Sequence, residues 1–264
     1  MNALTATSAG RAEHGNEDFV AATERAMVVV DGAGIRGGAA LCEHGVAWYS
    51  HSLGTDLLAR LTTHPTVLLR EALGDSIAAV TAMHSDTCHV ADPSSPQASV
   101  AVARRSGSDL DWLVLGDAYV IAEAEEPLVV NDEREVDVRS AATRRLEGLT
   151  PGSPEHDRQT HVAIETLRAR RNQPGGYWIA KDDPDAALHA IVGRQGIQPD
   201  ARVAVLSNGV ARLVDRYRVT DWRGLFMMLR DVGPDGVLQR LRAVERETAV
   251  RPDDASIGYW RPSH

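Results

Sequence analysis

The chain has 264 residues, 43% of them hydrophobic and 25% charged, an ordinary globular composition. Its formal net charge of -9 argues against a nucleic-acid partner, and it would repel phosphate esters unless metal ions reversed the local field. No apolar run approaches the roughly 18 residues that suggest a membrane span.

The first residues, Met1-Asn2-Ala3-Leu4-Thr5, lack the basic and apolar regions of a secretory signal, so a cytoplasmic protein is expected. Ala26-Met27-Val28-Val29-Val30 shows no alternation and predicts a strand buried on both faces. It stops at Asp31-Gly32-Ala33-Gly34. Gly37-Gly38 then opens a helical pattern to about Leu61, carried by Leu41, Val46, Trp48, Leu53, Leu57 and Leu61. Pro65 suits the first position of a second helix, running to about His89. Cys42 and Cys88 fall in these helical-looking segments and read as buried thiols in a reducing compartment, not as a disulfide framework. After the break at Asp92-Pro93-Ser94-Ser95-Pro96, strands are predicted at 98–104 and 110–115. Ser106-Gly107-Ser108-Asp109 between them is hairpin chemistry. Two more strands, 119–122 and 128–130, turn at Glu125-Glu126-Pro127.

From 131 to 173 the sequence is polar and rich in Arg and Glu, broken by Pro151 and Pro154, and reads as a mobile insertion. Order returns at Gly175-Gly176-Tyr177-Trp178-Ile179, and Asp183-Pro184-Asp185 caps a short helix to about Val192. A buried strand follows at 202–206, then helical segments at 209–230 and 234–246, then a last strand near the C-terminus. No internal repeat is present. Strands, a block of helices, hairpins and more helices predict an α+β layered domain, not a βαβ alternation.

Acidic residues cluster where these strands end. Asn16-Glu17-Asp18 precedes the first strand, Asp31 ends it, Gly116-Asp117 ends a second, and Asp253-Asp254-Ala255-Ser256 opens the last. Carboxylates at rigid strand ends, beside glycines that let the backbone come close, are what a hard divalent cation needs. Taken singly, each motif also fits a plain turn or solvated loop. His44, His51, His84 and His89 read as surface or satisfied core residues, and Arg168-Ala169-Arg170-Arg171 as a solvated helix face. A docking patch for an acidic or phosphorylated partner is the minority reading of those arginines.

The order of the motifs, from residue 16 to residue 256, resembles that of the metal-dependent protein phosphatases of the 2C type. The resemblance implies a four-layer α/β/β/α sandwich, with two antiparallel sheets flanked by helices. It implies one such domain over 1–264, with a flap-like insertion at about 131–173. Between the sheets it implies two Mg²⁺ or Mn²⁺ ions and a weaker third. Carried over by motif, Asp31 would bridge two metals, completed by the Gly32 carbonyl, with Glu17 at the same site and Asp18 supporting it. Asp253 would hold the other metal and Asp117 the third. Oxygen-only donors suit these ions, with no nearby Cys/His quartet to favour zinc. The implied activity is hydrolysis of phosphoserine or phosphothreonine in proteins by a metal-bound hydroxide, with a cognate kinase system as partner.

Two positions depart from the family pattern. Ser207-Asn208-Gly209 carries an amide where the family has a metal-binding Asp, so affinity there should fall. Glu13 stands where similar bacterial phosphatases carry a phosphate-binding Arg, and Arg11 is the nearest replacement. Both departures support an alternative, a pseudophosphatase acting as a binding or regulatory module. A third reading, a phosphatase for small phosphoesters, rests on the unusual 131–173 segment.

Overall fold

Alternate residues of one strand report the layers on its two sides. In β3 (Ala26–Ala33), Val28 and Val30 pack against α1 (Gly45–Thr63) and α2 (Leu69–His84), joined by Leu53, Leu57, Leu73 and Ile77. Met27 and Val29 point the other way, into a second core with Val203, Val205 and Trp260. The strand is fully buried from 26 to 30, as its continuous apolar run predicts.

The computed structural model describes residues 1–11, 15–34 and 41–262. One antiparallel sheet runs β2 (Phe19–Ala22), β3, β4 (Gln97–Ser106), β5 (Asp109–Leu115) and β8 (Ile191–Gly196). The other runs β1 (Asn2–Ser8), β10 (Ala255–Arg261), β9 (Val203–Leu206), β6 (Tyr119–Ala122) and β7 (Leu128–Asn131). Small side chains at the interface, Ala101, Ala103, Ala118 and Ala122, let the sheets approach. On the outer face of the second sheet, α5 (Asn208–Asp215) and α6 (Trp222–Thr248) supply Val210, Leu213, Leu225, Leu229 and Leu241 to a third core. The result is the α/β/β/α sandwich that the motif order implied.

Several boundaries differ from the sequence-based expectation. Residues 35–40, which include Gly37-Gly38, lie outside the described residues, and α1 begins at Gly45. Helix α2 begins at Leu69, not Pro65, because Leu68 is extended (φ -66°, ψ 136°), and it ends at His84. The Val67 carbonyl ahead of it accepts Arg104 Nη1 at 2.6 Å. Cys42 and Cys88 therefore lie in the loops flanking these helices, not within them. The pattern read as a helix tail to Val192 is strand β8, whose mostly exposed edge shows no alternation to reveal it. A short 3-10 helix, Pro184–His189, is all that Asp183 caps. The helical stretch 209–230 breaks at 216–221, where Asp221 Oδ1 accepts Gly224 N at 2.7 Å to start α6. A kink at Gly233 (φ 69°), just ahead of Pro234, then divides α6. The polar segment 131–173 carries α3 (Arg134–Thr143) and α4 (Pro154–Arg170), the latter capped by Ser153 with Pro154 in its first turn.

A charge triad, with Arg104 and Asp111 buried and Arg194 largely exposed, holds three strands together. Register places Arg104, Asp111 and Arg194 side by side on β4, β5 and β8. Asp111 Oδ2 accepts Arg104 Nη2 at 2.8 Å and Arg194 Nη2 at 3.0 Å. Burial alone would raise this carboxyl, but bonds from Arg194 and Arg104 hold it below its ordinary 3.8. A depressed carboxylate stabilises the fold above its unfolded pKa and loses that contribution as pH falls through the folded value. Asp111→Asn should lower the melting temperature by on the order of 10 °C at pH 7, from a loss of about 3 kcal/mol. Thermal melts should show the gap to wild type closing below about pH 4, and a gap independent of pH would refute this reading.

Candidate metal centre

Strand parity puts the first acid in place. Asp31 falls on the same side of β3 as Met27 and Val29, so it faces the gap between the sheets at their edge. Ser99 follows the same rule on β4, sharing its side with Ala101 and Ala103. Antiparallel pairing of Ser8 with Ala255 leads the chain to where Gly10 and Glu17 lie beside Asp254, joining its two ends.

Asp254 fastens that junction, accepting Gly10 N and Glu17 N, each at 2.7 Å. Ser50 Oγ on α1 donates to the Glu17 carbonyl at 2.5 Å. A Cβ on Gly32 would stand 2.3 Å from that same carbonyl and 2.9 Å from Val46 Cγ1, so only glycine fits between them. Gly116 is left-handed (φ 78°) and directs Asp117 at Ser99, whose hydroxyl donates to Asp117 Oδ1 at 2.8 Å. Asn208 opens α5 and links two acids: its N–H donates to Asp31 Oδ2 at 3.0 Å and its side-chain amide to Asp117 Oδ2 at 2.5 Å. Asp253 is ion-paired with Arg212 of the same helix.

Arg11, Glu17, Asp31, Gly32, Asp117, Asn208 and Asp253 consequently line one cleft of about 720 Å³. Asp18 does not line it. This side chain is buried beneath, and neither carboxylate oxygen has a hydrogen-bond partner. Glu13 lies outside the described residues.

Crowding of like charges dominates the electrostatics. Burial pushes Asp18 up to about 7, tempered by the nearby Ser207 and Ser256 hydroxyls and raised further by Asp254 and Asp253. Part of Asp31 faces the cleft, yet surrounding protein displaces its water. Burial, then Asp18, Asp117 and Asp253, carry it well above the usual carboxylate range. Glu17 is raised by burial and Asp254, with Arg11 opposing. This set fits hard divalent cations: oxygen donors only, surplus negative charge, and two orphaned oxygens behind them. No three of these acids, among the described residues, bring oxygens within 4.8 Å of one another. They line one cleft without converging on a point.

Arginines line the cleft together with the acids. Arg139 of α3 lies 4.0 Å from Asp117, and Arg168 and Arg171 line the same cleft, so their stretch is not simply a solvated face. Their spacing, three apart at the end of a helix, is a signal for a shared side; nothing in the sequence singles out Arg139, Arg212 or the tie made by Asp254. His84 takes a satisfied core role, its Nδ1 on the Val80 carbonyl at 2.7 Å, while His51 is exposed, with its Nε2 on the Asp18 carbonyl at 3.0 Å.

An acid raised in the folded state binds protons that the unfolded chain has released, so stability falls as pH rises between the two pKa values. In chelator, wild type should therefore lose melting temperature between about pH 4 and pH 7 relative to Asp18→Asn, and saturating Mn²⁺ should restore it. Identical pH profiles for the two proteins would refute the buried-acid account.

No protein-family model and no curated protein sequence matches the chain. Solved structures do. It is similar to the PPM Ser-Thr phosphatase MsPP from Mycobacterium smegmatis in complex with cacodylate, at TM-score 0.61 and 17% identity over 100% of this chain and 99% of that one. The catalytic domain of the serine threonine protein phosphatase PstP, in complex with 2 manganese ions, matches at TM-score 0.62 and 16% identity over 98% and 96%. A bacterial serine phosphatase matches at TM-score 0.64 and 12% identity over 98% and 96%. The chain has the fold of the PPM, or 2C-type, serine/threonine phosphatases.

Proposed function

We propose that the protein is a Mg²⁺- or Mn²⁺-dependent phosphatase acting on phosphoserine or phosphothreonine in proteins. The observation that carries this reading is the gathering of Glu17, Asp31, Asp117 and Asp253, from both ends of the chain, in one cleft that arginines also line. The two manganese ions of the similar PstP domain agree with it. Asp31, Gly32, Glu17 and Asp253 would hold two cations, with Asp117 and Asn208 at a weaker third. Such ions supply neutralising charge for the phosphoryl oxygens and acidify a water for attack on phosphorus.

The chain's own residues do the rest. Arg11 and Arg139 both line the cleft and would offer planar donors to the phosphate. Asp18 acts through Asp31, adding negative charge beneath it, and is a positioning residue. We read 1–264 as one phosphatase-like domain in which α3 and α4, within 131–173, form a flap that shapes substrate approach. The free, buried Cys42 and Cys88 suit a reducing cytoplasm, where a kinase would supply the substrate. No helix among the described residues is long and apolar enough to cross a membrane.

A second reading, a pseudophosphatase serving as a binding module, is favoured by two contacts. Arg212 already neutralises Asp253, and the Asn208 amide already satisfies Asp117. Turnover of para-nitrophenyl phosphate with Mn²⁺ separates the readings. Wild type should turn over in Mn²⁺ and stop in chelator, and Asn208→Asp should need about tenfold less Mn²⁺ for half-maximal rate. The same substitution should lower metal-free stability by about 1.5 kcal/mol, because a charge-assisted bond becomes a repulsion. Absence of metal-dependent turnover in both proteins would leave the binding module. Faster turnover of small esters than of phosphopeptides would exclude a protein substrate. Arg139→Ala should raise KM with little change in kcat; an unchanged KM would remove Arg139 from substrate binding.

A further inference from the structure

A second cluster of metal-ligating side chains lies apart from the acidic cleft. Cys42 and His44, in the turn before α1, meet Cys88, in the loop after α2. The two sulfurs and a ring nitrogen lie within 4.8 Å of one another, the one group of three or more such side chains this tight among the described residues. Both cysteines are free and buried. His44 Nδ1 is 3.4 Å from Cys88 Sγ. The His44 ring is held by Trp48 at 4.4 Å and meets His84 edge-on at 5.9 Å. A backbone bond from His89 N to the Leu41 carbonyl, 2.8 Å, clamps the two segments on either side.

We propose that Cys42, His44 and Cys88 form a binding site for one zinc-class ion. Two thiolates and an imidazole are soft donors that select such ions over Mg²⁺ and Mn²⁺. The spacing fits as well. Tetrahedral bonds of about 2.3 Å to sulfur and 2.05 Å to nitrogen set those two atoms about 3.6 Å apart. With three protein ligands, the fourth position falls to water. The exchange balances as one Zn²⁺ entering while both thiols release their protons and His44 Nδ1 presents its lone pair, with no change of oxidation state.

The site has a structural consequence beside the cleft. Val46, two residues past His44, packs its methyl groups where a Cβ on Gly32 or Gly34 would fall, 2.9 and 2.6 Å away. An ion joining the turn before α1 to Cys88 would fix the wall against which Gly32 rests. The proposal stands on its own donor set and is independent of whether the acidic cleft hydrolyses anything.

Cobalt titration of the reduced, metal-free protein, with excess Mg²⁺ present, tests it directly. One equivalent of Co²⁺ should produce thiolate charge-transfer absorbance in the near ultraviolet and tetrahedral bands in the visible, both abolished by Zn²⁺. Cys42→Ser and Cys88→Ser, each checked by circular dichroism, should weaken binding about tenfold or more. Zn²⁺ should also protect both thiols of wild type from alkylation, a readout that needs no variant. Absence of thiolate–cobalt absorbance in wild type, persistence of it in the double serine variant, or alkylation unaffected by Zn²⁺ would overturn the proposal.

Discussion

Carboxylates held close together in partly dehydrated surroundings repel one another, and most of what is specific in this fold serves to hold them there. Asp31 sits on a rigid central strand, Asp117 after a left-handed glycine, and Glu17 in a loop that two backbone bonds to Asp254 keep in place. Each tether opposes the tendency of like charges to separate. The sandwich supplies the stiffness. Three apolar cores, one between the sheets and one under each helical layer, fix strand ends that have no packing of their own.

The molecule meets part of that repulsion with its own donors. Asn208 bridges Asp31 and Asp117 with neutral N–H groups, and Arg212 pairs with Asp253. The buried Asp18 carboxyl is left to the nearby Ser207 and Ser256 hydroxyls, neither within hydrogen-bond geometry. The balance explains why a single amide matters. With Asp at position 208 the cluster would gain affinity for cations and lose stability without them, so Asn208 exchanges metal affinity for a milder metal-free state.

Legibility from sequence followed the physics of each element. β3, the β4–β5 hairpin and β9 could be read because continuous burial or Gly-Ser turns leave local marks. β1 and β2, with Ala, Thr and half-exposed residues, left none; they form by pairing with β10 and β3, a tertiary effect. β8 failed for the same reason at an edge. The acids that end strands were legible as motifs in order, and the structure gathers them in one cleft. The places of Arg139 and Arg168 in that cleft were not, because they come from α3 and α4, whose polar composition hides which face turns inward. The pairing of Cys42 and His44 with Cys88 was equally hidden, since it depends on two loops meeting across 44 residues of sequence.

The central claim is that Asp31 anchors a cation site in the cleft. Isothermal titration of Mn²⁺ into wild type and Asp31→Ala, both confirmed folded, tests it most directly. The account predicts at least one Mn²⁺ site in wild type that is lost in Asp31→Ala. Equal binding by the two proteins, or no binding by wild type, would contradict it.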